Sequence, residues 1–117
     1  MEASDILALS SDILRCAVLD DAGRITSYAE SEEGRQANLP ANSLVTIKAL
    51  VIQGLSDALP KELGNIRFTV VVSDKYRLVT LPLAGQTVMF ATPLDAVPDP
   101  ICDLATRKFG SSMRFRR

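Results

Sequence analysis

Residues able to do chemistry are scarce in this chain, and those present are spaced for structure. There is no histidine, which removes the usual general base, the serine triad and the commonest metal ligand together. Cys16 and Cys102 are the only cysteines, far apart in the chain and without zinc-site spacing. Each sits in an apolar segment, the setting of a small buried hydrophobe. A disulfide is conceivable, but with no signal peptide legible in MEASDILALSSD, free thiols and a cytoplasmic setting are the expectation.

Asp20 and Asp21 could be paired carboxylates or a divalent-cation site, yet beside Ala22 and Gly23 they read as turn formers. Glu30, Glu32 and Glu33 are a charge run of the kind a solvated loop carries. Gly23, Gly34 and Gly85 match no phosphate-loop or dinucleotide spacing. Arg15, Arg24 or Arg35 could act on a bound nucleotide as an arginine finger, and nothing singles one out. Arg114, Arg116 and Arg117 around Phe115 could touch RNA or a membrane face, but a frayed terminus is the plainer reading. No catalytic residue, cofactor-binding residue, cofactor or metal ligand is expected.

Composition points the same way. The 117 residues are 47% hydrophobic and 23% charged with a formal charge of -1, which suits one globular domain and favours neither nucleic acid nor an acidic membrane. The longest apolar run is well short of the roughly 20 residues of a membrane-spanning helix. The expected layout is a single domain over residues 1–117, with its core at about 5–110 and a basic tail at 111–117.

Several elements are needed to hold such a domain together. Residues 4–11 read as a short amphipathic helix capped by Ser4. Residues 12–19 (DILRCAVL) and RITSYAE read as a hairpin around DDAG. The polar tract SEEGRQAN, with Gly34 inside it, reads as a solvent-exposed loop. Residues 39–59 are the longest patterned stretch: Leu44, Ile47, Val51, Leu55 and Ala58 recur at helical steps while Val45, Ala49, Leu50 and Ile52 widen the apolar face. Lys48, Gln53 and Asp57 leave only a narrow polar strip, so part of this helix is expected to meet another chain. Pro60 and Gly64 should stop it.

Residues 66–73 (IRFTVVVS) alternate Ile66, Phe68, Val70 and Val72 against Arg67, Thr69, Val71 and Ser73. The turn DKYR, a strand over 78–83, a turn at Gly85 and a strand over 87–91 complete an antiparallel meander. Pro82 suits a strand end and would be costly in mid-sheet. Asp99 and Pro100 open a closing helix, Arg107 and Lys108 end it, and Gly110 follows. Its apolar face is expected to be Ile101, Leu104, Ala105 and Phe109. Apolar residues on both strand faces call for helices on both sides of the sheet, the long one opposite the terminal pair.

The DDAGRI turn, the LVTIKALVIQGLSDAL helix, the FTVVVSDKYRLVTLPLAG hairpin and the closing PDPICDLATRKFG helix, in this order, resemble the roadblock and dynein light chain family, related in fold to longins and profilins. The likeness is one of layout over about residues 5–110. It implies an α+β (α/β) fold with a five-stranded antiparallel sheet of order 2-1-5-4-3. It also implies a non-enzymatic homodimer that scaffolds or regulates a small Ras-like GTPase or a larger assembly. Carried onto this sequence, the dimer interface would include Leu44, Ile47, Lys48, Val51 and Leu55 of the long helix, with Ile66, Phe68, Val70 and Val72 of the middle strand. Physical reasoning reaches a similar place, since an apolar edge strand without proline is poorly protected against pairing. The other reading is a PAS-type small-molecule sensor, which shares the strand order; one uninterrupted helix between strands two and three speaks against it. An enzyme is not expected, nor are nucleic-acid binding or membrane insertion.

Overall fold

The computed structural model of the chain describes residues 1–37 and 60–110. In order these form α1 (Ala3–Leu7), β1 (Arg15–Leu19), β2 (Ile25–Glu30), α2 (Glu32–Gln36), a 3-10 turn (Lys61–Leu63), β3 (Thr69–Val72), β4 (Tyr76–Leu83), β5 (Gln86–Pro93) and α3 (Pro98–Phe109). The sheet is five-stranded and antiparallel throughout, with order β2-β1-β5-β4-β3, as the resemblance implied. The helix expected over residues 39–59 lies outside the described residues.

Turn chemistry sets the register. Asp20 accepts hydrogen bonds from the N–H groups of Ala22 at 3.0 Å and Arg24 at 2.9 Å, and Gly23 has φ 83°, so DDAG is a turn held by its own side chain. Ala84 and Gly85, with φ 55° and 78°, link Leu83 directly to Gln86. That two-residue turn has the left-handed backbone that suits a hairpin's twist.

Strand parity then builds the core. Cys16 and Val18 of β1, Val88 and Phe90 of β5, and Val79, Leu81 and Leu83 of β4 share one face. They are buried with Ala3 and Ile6 of α1 and with Ile101, Cys102 and Ala105 of α3. The two terminal helices thus lie on the same face, as expected. On α3 the inward set differs from the one read in the sequence, because Cys102 is buried while Leu104 is 36% exposed. The second sheet face is buried too, with Ala17, Leu19 and Met89 fully enclosed and Leu78 packed beside them.

One local expectation is corrected and another is sharpened. SEEGRQAN is not simply a loop: Glu32–Gln36 is helical, and the Ser31 hydroxyl accepts from the Gly34 N–H at 3.0 Å. Ser followed by two acids is an N-terminal helix signal, and Gly34 is not a loop marker. It is buried, and a Cβ there would run into the Leu14 carbonyl. Pro82, expected at a strand end, is the second-last residue of β4, opposite Thr87. In a two-residue hairpin the closing pair Leu83–Gln86 exchanges both hydrogen bonds and the pairs then alternate. The nitrogen of Pro82 therefore points toward the β3 side and has no hydrogen to offer. Pairing of β3 with β4 goes no further than Thr69 with Thr80, which explains why β3 spans Thr69–Val72 and not the whole of residues 66–73.

Candidate functional site

The same parity identifies the β3 groups that face away from β4 and that no other described strand pairs. Ser73 donates its N–H to the Tyr76 carbonyl at 2.9 Å, so Thr69, Val71 and Ser73 are the β3 residues whose backbone faces β4. The N–H and C=O groups of Val70 and Val72 face the other way, off the end of the sheet. Val72 also presents its side chain, 63% exposed. Residues 66–73 hold one charged residue, Arg67, and no proline, so little protects this edge from a further strand.

The residues expected at a pairing surface divide in three. Leu44, Ile47, Lys48, Val51 and Leu55 lie outside the described residues. Phe68 and Val70 are half-buried against the α1–α3 core, so their side chains are committed inward and only their backbone is offered to a partner. Val72 is open on the edge. Ile66 lies just before β3 and, with Phe68, lines a shallow groove whose other wall includes Leu81, Cys102 and Thr106. The out-pointing backbone of Val70 and Val72 is the component missed by a side-chain reading. Counting alternate residues back from the Ala84–Gly85 turn would have found it.

The other candidates resolve into structure. Arg15 is buried, with Nη2 at 3.3 Å from Glu30 and 3.4 Å from the Gly34 carbonyl. Arg35 reaches Glu30 at 3.5 Å and Glu32 at 3.6 Å, so Glu30 is bracketed by two guanidinium groups. Arg24 pairs with Asp20 at 3.7 Å. The Arg24 N–H, more than any other group, holds the Asp20 carboxyl below its ordinary range, with the Ala22 N–H and the Arg24 charge adding. All three arginines are thus engaged within their own chain.

Cys16 and Cys102 are free and buried. Burial pushes both thiols up to about 12, with Asp99 and Asp103 adding at Cys102, so neither is a ready nucleophile. Among the described residues no cluster of three or more candidate ligands could hold a metal, and no helix is long and apolar enough to cross a membrane.

No family model and no curated protein matches the sequence. Solved structures do. A Roadblock/LC7 domain from Streptomyces avermitilis is 14% identical, with 96% of this chain and 91% of that chain covered at a TM-score of 0.64. The gliding protein mglB from Thermus thermophilus is 16% identical over 95% of this chain and 82% of its own, at 0.67. An MglB structure described as having a tetrameric arrangement is 17% identical over 95% and 81%, at 0.65. These likenesses lend no support to the PAS-type alternative. At such identities they concern architecture, and on that ground the chain is built on the roadblock fold.

Proposed function

We propose that two copies of this chain pair through the free edge of β3 and the segment containing Leu44, Ile47, Lys48, Val51 and Leu55, giving a non-catalytic scaffold that docks or regulates another protein. The observation that carries this reading is the open edge. Val70 and Val72 turn their backbone groups away from β4, and Val72 adds exposed apolar surface beside them. A twofold-related copy would pair these groups and cover that surface in one step. The tetrameric arrangement described for one MglB of this fold supports self-association as a mode of action. A small Ras-like GTPase is the partner class that the roadblock resemblance implies.

Sedimentation equilibrium over a wide concentration range tests the pairing. The unmodified chain should be a dimer. Val72→Lys places two like charges across the shared edge and should weaken association at least about tenfold. Because Val72 is exposed, the melting transition of the separated protomer should hardly move. A monomer at every concentration of the unmodified chain would overturn the reading.

A further inference from the structure

Away from the sheet edge, exposed apolar surface gathers along the connection into α3, where Leu94, Val97 and Leu104 are 38%, 59% and 36% exposed. An open trough runs here between the end of α1 and the start of α3, lined by Leu9, Asp12, Asp95, Val97, Pro100 and Leu104 among others. Its floor is fixed: Ala96 and Ile101 are buried, and the Ala96 N–H donates to the Pro93 carbonyl at 3.2 Å. A trough whose floor belongs to the core is preformed, so a ligand laid in it loses little to ordering of the protein. Contiguous apolar surface rimmed by polar groups is the usual form of a protein-docking site.

The charge around the trough has one sign and selects the occupant. Residues 1–14 and 94–106 contain Glu2, Asp5, Asp12, Asp95, Asp99 and Asp103, and neither lysine nor arginine. Cations on other elements are engaged: Arg77 donates through Nε to the Leu94 carbonyl at 2.8 Å, and Arg67 reaches Asp103 at 3.8 Å. Arg107 and Lys108 lie at the far end of α3. Asp12 and Asp95 are exposed on the trough itself, and among the described residues no ion pair engages either. A second copy in twofold contact here would set acid against acid, and an anionic membrane or nucleic acid would be repelled in the same way. We infer that the trough takes a basic, amphipathic segment of a partner protein, with its apolar side chains over Val97 and Leu104 and its lysines or arginines against Asp12 and Asp95. The inference rests on the docking half of the proposed function and not on pairing between copies.

The test titrates the full chain, isotope-labelled at its methyl groups, with a peptide of about 15 residues made of leucine and lysine spaced for an amphipathic helix. Methyl signals of Leu9, Val97 and Leu104 should shift, and those of Ile25 in β2 should not. The same peptide with glutamate for lysine should bind at least about tenfold more weakly. Asp12→Lys/Asp95→Lys should weaken the lysine peptide at least about tenfold, and so should Val97→Ser/Leu104→Ser; all four positions are exposed, so the fold is kept. Asp21→Lys/Glu33→Lys makes the same change of charge at exposed acids elsewhere and should alter affinity less than about twofold. Val72→Lys should bind as the unmodified chain does, so that loss of pairing and loss of docking are read apart. No shift at Val97 and Leu104 with peptide up to about 1 mM, equal binding of the two peptides, or equal loss in the two charge-reversed variants would overturn the inference. Shifts there that follow the chain's own concentration without peptide would assign the trough to a second copy and overturn it too.

Discussion

At one end of the sheet β2 is anchored through its side chains and its C-terminal end. Ser27 Oγ accepts from the N–H of Ala3 in α1 at 2.8 Å, Ser31 leads at once into α2, and Glu30 is held between Arg15 and Arg35. At the other end β3 offers Val70 and Val72 with their backbone groups turned outward, and no charged residue lies within the strand. Both are edge strands of one sheet, so both carry the same hazard of unpaired polar groups. The difference teaches that the two edge strands are anchored unequally by their own side chains, not that one of them is buried. Hydroxyls, ion pairs and two short helices tie down the side chains of one edge strand, and the described residues put no such ties on the four residues of the other.

The largest expected effect separates the two sides of β3 itself. Val71→Pro removes an N–H that faces β4 and should destabilise the fold by about 3 kcal/mol or more. Val72→Pro removes an N–H that faces outward, and should cost the isolated protomer under about 1 kcal/mol while disrupting association. Denaturant unfolding of the two variants, run beside sedimentation, reads both quantities. Equal loss of stability would mean that the parity assigned to β3 is wrong.

The anchored end is broken next most severely by Gly34→Ala. Alanine should help a helix by about 1 kcal/mol, but its Cβ would meet the Leu14 carbonyl, which is backbone and cannot swing away. Overpacking of this kind costs about 1–3 kcal/mol, and because the clash is with backbone a net loss near the middle of that range, about 2 kcal/mol, is expected in chemical denaturation. A gain in stability would show that α2 lifts freely from the sheet.

Ser31→Ala sharpens the comparison at smaller scale. It deletes the cap accepted from Gly34 N–H and a second hydrogen bond, in which the hydroxyl donates to the Leu14 carbonyl at 3.3 Å. About 1 kcal/mol is expected, with faster amide exchange in α2 and unchanged dimerisation. A shift in the dimer equilibrium would tie the two ends of the sheet together.

Much of this architecture was legible. Two-residue alternation in FTVVVS, the turn residues of DDAG and LAGQ, and Pro and Asp at the start of the closing helix depend on neighbours in the chain; the turns and the helix start appear where they were expected, and the strand is present but shorter than read. Other features escaped because their meaning lies in a distant partner. SEEGRQAN looks like a loop until Leu14 is known to lie against Gly34. Pro82 lies near the end of β4 as read, but that its missing hydrogen limits β3 shows only in the assembled sheet. Arg15 looks equivalent to Arg24 and Arg35 in the sequence, but only Arg15 is enclosed, with Glu30 and the Gly34 carbonyl against its guanidinium.

By itself the sequence determined the order of the five strands, their parity and the poverty of acid-base and nucleophilic groups, because periodicity and side-chain type are local properties that no packing can alter. The tertiary structure alone decided which edge strand its neighbours anchor, how far β3 can pair, and which apolar residues of α3 face out. Those outcomes depend on residues remote in the chain competing for the same hydrogen bonds and the same volume.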